Sequence, residues 1–269
     1  MIAFVLPLIA LFPTVSNACD KRVCVTTQQH EGRVDFTAIN TTHATLSLRL
    51  EFELQNMRSP DGSTSIFVLE PKSRKAITSL VVERKGGAWR YSYSFSWRMG
   101  DHKTTHAEGV RYRLPVARGS RVRITQGSNG MFSHKANRRF ATDIDLPVGT
   151  PIYAARDGVV VFTKDDSTRG GPSKSFRDDA NEILIQHDDT TVASYAHLKF
   201  RGVEVRQGDK VRAGDRIGLS GNTGWSTGQH LHFDVWKPDA RMRMDSIAVN
   251  FDTTAGPIRC PRQQFLTAR

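Results

Sequence analysis

The stretch "GNTGWSTGQHLHFDVW", Gly221–Trp236, decides how the chain is read. Polar turn residues and three glycines lead into HLHFDVW, an apolar/polar alternation with the period of a half-buried strand. Alternate side chains of a strand share a face, roughly 6–7 Å apart. Leu231 and Phe233 therefore enter a core on one side, and His230 and His232 stand together on the other. Two adjacent imidazoles suit a divalent metal, or one metal ligand beside one catalytic group. The HxH pair alone does not choose between these.

The same strand signature runs through the chain. "TLSLRLEFEL" (45–54) and "WRYSYSFSW" (89–97) alternate cleanly, and "SPDGS" (59–63) and "KGG" (85–87) supply turns. Residues 19–115 are expected to form a small antiparallel β-sandwich without a catalytic cluster. Its histidines, His30, His43, His102 and His106, read as surface residues. "YRLPVARGSRV" (112–122) links to a second unit, expected over 116–245. There "TPIYAARDGVVVFTK", "NEILIQHDD", "TVASYAHL" and "GDKVRAGDRIGLSG" supply further strands and Gly-Asp turns. No segment has helical periodicity, so the predicted fold is all-β throughout. "DDSTRGGPSKSFRDDA" (165–180) reads as a mobile insertion, either a substrate wall or a solvated loop. Residues 246–269 form a tail without a legible motif.

The chain has 269 residues, with 38 Lys and Arg against 27 Asp and Glu, a net charge of +11. That excess suits polyanionic surroundings. No basic run resembles a nucleic-acid arm, so no nucleic-acid partner is expected. Ile2 to Val15 is almost wholly apolar, but shorter than the roughly 20 residues of a membrane span. It fits a secretory signal over 1–18, with Ser16-Asn17-Ala18 as the cleavage region, although no Lys or Arg precedes it. Stable membrane insertion is not expected. Export permits a disulfide among Cys19, Cys24 and Cys260, and the spacing leaves the pairing open.

Three further features join the histidine pair. "SHKANRRFATDIDLPVGTP" offers His134, Asp143 and Asp145, and "SYAHL" ends a strand on His197. "SGNTGWSTG" lets backbone approach a ligand closely, without the GxxxxGK[ST] of a phosphate loop. A His/His/Asp set fits Zn²⁺, and three protein ligands leave the open fourth position of a catalytic site.

Together, "FSHKANRRFATDIDLPVGTPIYAARDGVVVF", "YAHL" and "GDKVRAGDRIGLSGNTGWSTGQHLHFDV" resemble the M23 family of zinc metallopeptidases, the lysostaphin- or LytM-type peptidoglycan endopeptidases. The likeness runs from about Gln126 to Trp236. It implies one Zn²⁺ per chain, held by His134, Asp143 and His232. The family's aspartate stands four residues before the proline of PxGTP, here Pro147. The resemblance thus selects Asp143, where strand alternation alone leaves Asp145 equally placed. It implies that His197 and His230 are the catalytic pair, in place of the glutamate of an HExxH enzyme. One departure stands out: nine positions separate His134 from Asp143, where the family has HxxxD.

The implied function is an exported zinc endopeptidase that cleaves peptide cross-links or bridges of bacterial peptidoglycan. Its partners are stem peptides or bridges. Its place is the periplasm or cell envelope, with a Gram-negative periplasm favoured by the lack of a polyglycine-bridge module and of repeats. The alternative is a non-catalytic wall-binding scaffold or amidase activator, for which the long gap after His134 is the best argument. A third reading keeps the zinc site and moves the substrate to glycine-rich proteins. His187 is expected to be structural, Asn222 a turn former, and Trp225 and Tyr195 either groove-lining or packed.

Overall fold

The computed structural model describes residues 4–5, 15–130 and 133–269. The chain divides into two compact units, Met1–His102 and Lys103–Arg269.

Among the described residues, the first unit consists of two antiparallel sheets. One orders Val15–Asp20, Val23–His30, Arg33–Asn40, Ser73–Val82 and Met57–Arg58. The other orders Phe4–Val5, Arg90–Met99, Leu46–Gln55 and Thr64–Leu69. The alternation read at 45–54 has its physical outcome here: Leu46, Leu48, Leu50 and Phe52 are buried. Each such side chain contributes about 1.5–3 kcal/mol of burial. Phe36 packs edge-on against Phe52, Tyr91 and Tyr93, with centroids 5.1, 6.0 and 5.2 Å apart, and so joins the two sheets. This is the expected sandwich. Cys19 and Cys24 form a disulfide across the first hairpin, and Cys260 is free. Of the segment read as a signal, residues 1–3 and 6–14 lie outside the described residues.

The second unit begins earlier than the sequence suggested. Arg111–Arg113 pairs in parallel with Asn250–Asp252, and Tyr112 is fully buried in the second unit's core. Thr104 Oγ1 donates to the Asp189 carbonyl at 2.9 Å, and His106 Nδ1 meets Asp189 Oδ2 at 2.8 Å. His106 is therefore anchored and largely buried, not a surface histidine. His102 is also partly buried, its backbone N–H donating to Ser47 Oγ at 2.9 Å. The tail belongs to this unit as well. Asn250–Thr253 and Gly256–Arg259 form a hairpin, Gln264–Thr267 pairs with Arg121–Gln126, and Phe251, Leu266 and Ala268 enter the core.

Among the described residues, nine strands form the main sheet, all antiparallel. Its centre runs Gly158–Lys164, Glu182–Gln186, Val192–Ala196, Leu231–Pro238, Thr142–Asp145 and Arg121–Gln126. Ile144, Ile183, Ile185, Tyr195, Leu231 and Phe233 pack in one core cluster. The only helical elements among the described residues are two 3₁₀ segments, Ala136–Arg138 and Lys174–Asp179, so the all-β expectation holds.

The insertion 165–180 is not a loose loop. Gly170–Gly171 pairs in parallel with Gly224–Trp225, and Ser173 Oγ accepts from the Ser175 N–H at the start of the 3₁₀ segment. A Cβ on Gly170 would stand 2.3 Å from the Asn222 carbonyl oxygen, so only glycine permits this backbone approach.

Candidate active site

Strand register assembles the site. Asp143 lies directly opposite His232, and Ala196 opposite His232 on the other side. His197 follows Ala196 at the strand end, in the left-handed region at φ 66°. A non-glycine residue held there carries backbone strain, which the surrounding structure must impose. Asp145, on the same strand as Asp143, is exposed, whereas Asp143 is 7% exposed.

The long spacing after His134 is taken up by the 3₁₀ turn Ala136–Arg138. The turn returns the chain to the sheet, leaving His134 fully buried beside Asp143. His134 Nε2 stands 3.1 Å from Asp143 Oδ1, and His232 Nδ1 stands 2.8 Å from the same oxygen. One ligand atom from each of His134, Asp143 and His232 lies within 4.8 Å of the others.

The donor set fits a divalent cation. His134 Nδ1 faces the Gly127 carbonyl at 2.9 Å, which can only accept, so Nδ1 carries the proton. That leaves a lone pair on Nε2, which is buried without a hydrogen-bond partner and faces a carboxylate oxygen. Two acceptors turned toward each other in a buried site need a positive charge between them. Asp143 Oδ2 is held separately by Gln126 Nε2 at 2.9 Å.

The electrostatics fix a negative charge at the centre of the site. Burial opposes ionisation of Asp143, yet the contacts of His134 and His232 hold its carboxyl well below the usual range. Burial works against charging His134, and Asp143 outweighs it, so its pKa is raised. Burial lowers that of His232, with Asp143 offsetting part of the shift.

His197 and His230 stand side by side, their rings 4.6 Å apart, and the His197 ring lies 5.9 Å from that of His232. His197 Nδ1 faces the Thr223 carbonyl at 2.6 Å, and His230 Nδ1 faces the Gly228 carbonyl at 2.8 Å. Each Nδ1 is thus the protonated nitrogen, and each Nε2 is left as a base. His230 Nε2 points toward the Asp143 carboxylate, 3.8 Å from Oδ1. Burial, reinforced by His230 and His232, pulls the His197 imidazole down to about 3.

Sequence reasoning missed Asn181. It is 0% exposed and joins three segments of the site. Its N–H donates to Thr223 Oγ1 at 3.0 Å, its Nδ2 to the Ser167 carbonyl at 2.8 Å, and its carbonyl accepts the Leu198 N–H at 3.0 Å. It thereby fixes both the residue after His197 and the one whose carbonyl orients the His197 ring. Nothing in the local pattern marks it, because an asparagine before an apolar run reads as a turn residue. His187 packs away from the site, Nδ1 on the Asp157 carbonyl at 2.8 Å. Tyr195 is core, its hydroxyl accepting the Ala155 N–H at 2.8 Å.

A buried His/Asp/His set with two free imidazole bases beside it, on an antiparallel sheet, is the layout of a metal-dependent hydrolase. Residues 137–246, within the second unit, match the model of Peptidase family M23. The chain is 39% identical over 127 residues to the peptidoglycan DD-endopeptidase ShyA of Vibrio cholerae, a span of 46% of this chain and 26% of that protein. It is 40% identical over 95 residues to the glycyl-glycine endopeptidase ALE-1 of Staphylococcus capitis, 35% of this chain and 23% of that protein. The chain thus matches about a quarter of the length of these curated relatives. Among solved structures, the catalytic domain of lysostaphin from Staphylococcus simulans is 26% identical, with 50% of this chain and 84% of that one covered and a TM-score of 0.32.

Proposed function

We propose that the protein is an exported zinc metalloendopeptidase that hydrolyses peptide bonds in the cross-links or bridges of bacterial peptidoglycan. The observation that carries this reading is the convergence of five side chains from distant parts of the sequence. His134, Asp143 and His232 bring ligand atoms within 4.8 Å of one another, and the His197 and His230 rings stand 4.6 Å apart beside them.

One Zn²⁺ held by those three residues would supply a Lewis acid that acidifies water and polarises a scissile carbonyl. The chain's own residues handle the proton. Both catalytic imidazoles have committed their single N–H to backbone carbonyls. In the neutral state each therefore presents only a lone pair to the substrate and can accept but not donate. A proton taken up at Nε2 from the attacking water is then available to the developing oxyanion or the leaving amine. This order follows from the tautomers alone.

The scaffold alternative loses its best argument, since the turn Ala136–Arg138 accounts for the long gap between His134 and Asp143. The name of the Vibrio cholerae relative, a peptidoglycan DD-endopeptidase, supports a peptidoglycan substrate. The Cys19–Cys24 disulfide supports an oxidising compartment, as the periplasm would provide. No helix among the described residues is long and apolar enough to cross a membrane.

The test is digestion of purified peptidoglycan with and without a zinc chelator, followed by analysis of the released muropeptides. Chelator-sensitive loss of cross-linked species, abolished by His230→Ala, is expected. Intact cross-links with zinc-loaded protein would overturn the reading.

A further inference from the structure

The wall beside His230 carries a second chemistry. In a 3₁₀ helix residues three apart eclipse one another, so Lys174 and Arg177 of Lys174–Asp179 project together. Both heads lie over one indole: Lys174 Nζ is 5.8 Å and Arg177 Cζ 5.4 Å from the Trp225 ring. The indole is itself fixed, its Nε1 donating to the Pro172 carbonyl at 2.9 Å. The next residue, Ser226, donates its N–H to the Gly171 carbonyl at 3.0 Å, and its hydroxyl lies 3.3 Å from His230 Nδ1. The cation pair is thus one residue removed from a contact of the catalytic imidazole.

These two charges are not neutralised from within. Arg169, the third cation of the insertion, packs over Phe176 at 5.4 Å and meets Asp179 at 3.6 Å. Neither Lys174 nor Arg177 forms an ion pair among the described residues. Cation–π attraction of about 0.5–1 kcal/mol each at an exposed site holds both on the ring against their mutual repulsion. Their N–H donors remain open to an anion. A guanidinium fork matches the two oxygens of a carboxylate, and an ammonium beside it adds a second, rotatable donor.

We propose that Lys174, Arg177 and Trp225 form a subsite for a free carboxylate of the peptide substrate, beside the bond that is cut. The word substrate rests on the peptidase reading; the carboxylate site does not. The insertion is then a specificity wall, and amidation of the substrate carboxylate weakens binding.

The experiment uses the full chain and two acetylated tripeptide amides, one with a central glutamate and one with glutamine. The ¹⁵N-labelled indole N–H of Trp225 reports binding by NMR. The glutamate peptide is expected to bind about tenfold more tightly than the glutamine peptide, the scale of two exposed ion pairs. That preference should vanish in Lys174→Gln/Arg177→Gln. On peptidoglycan fragments the same double variant should raise KM about tenfold and leave kcat within about twofold. Equal binding of the two peptides overturns the proposal. So does displacement of the glutamate peptide by an equal concentration of inorganic phosphate, which would mark a general anion site. If the wild type cleaves no fragment yet still selects the glutamate peptide, the peptidase reading fails and the carboxylate site stands. An unchanged KM in the double variant, with its thermal midpoint unaltered, removes the wall from substrate recognition.

Discussion

His187 makes the second unit sensitive to acid in a way that can be isolated. The ring is 3% exposed, packs edge-on against Tyr112 at 5.6 Å, and makes one hydrogen bond, to the Asp157 carbonyl. Its Nε2 is buried without a partner. Burial, the dominant cause, lowers its pKa from 6.5 to about 4. The unfolded chain therefore takes up this proton first as pH falls. The contribution is fully present above pH 6.5, declines as pH drops, and is lost by about pH 4. At about 1.4 kcal/mol per pH unit, that interval is worth about 3 kcal/mol of stability. His187→Asn keeps a donor for the Asp157 carbonyl and removes the titrating ring. It should cost stability at every pH through lost packing, but remove about 3 kcal/mol of the stability lost between pH 6.5 and 4. Urea unfolding of metal-free protein, followed by tryptophan fluorescence across that range, measures the difference. Other groups titrate in both proteins and cancel to first order. An identical slope in wild type and variant, or an NMR titration placing the His187 pKa near 6.5, would refute the reasoning.

Three other perturbations test the site and its supports. Metal content should be one zinc per chain in the wild type and in His230→Ala, and should fall away in His134→Ala and Asp143→Ala, which elemental analysis after dialysis would read directly. Asn181→Ala keeps the main-chain bond to the Thr223 hydroxyl but strips the side-chain bonds to the Ser167 N–H and carbonyl, so it should cost about 1–3 kcal/mol in stability. It should also lower kcat more than it raises KM, because Asn181 Nδ2 shares the Leu198 carbonyl with the hydroxyl of Thr223, the residue whose carbonyl orients the His197 ring; equal effects on both parameters would contradict this. Gly170→Ala forces a methyl to within 2.3 Å of the Asn222 backbone oxygen and should destabilise the second unit by about 1–3 kcal/mol, visible as a lower thermal midpoint.

The parts of the protein that could be read from sequence are those in which local pattern and tertiary role coincide. From His230 into Leu231–Pro238 one alternation both buries Leu231 and Phe233 and turns His230 and His232 toward Asp143, so strand and site are legible together. Asp143 and Asp145 show where periodicity stops. Both lie on one face, yet only Asp143 is opposite His232, and register between distant strands is not written in either strand alone. His134 shows the reverse: its spacing is irregular, and a three-residue 3₁₀ turn, too short to leave a periodic signal, makes the geometry work. The start of the second unit is hidden for a similar reason. Arg111–Arg113 is a three-residue strand whose partner, Asn250–Thr253, lies far along the chain, and so the link and the tail both looked structureless. Asn181 is the extreme case. Its role is carried by hydrogen bonds to residues 14 and 42 positions away, so no window of sequence around it contains its partners. The chemistry of such a site is therefore legible in its ligands and bases, which are chosen by residue type. It is hidden in the polar groups that aim them, which are chosen by position in the fold.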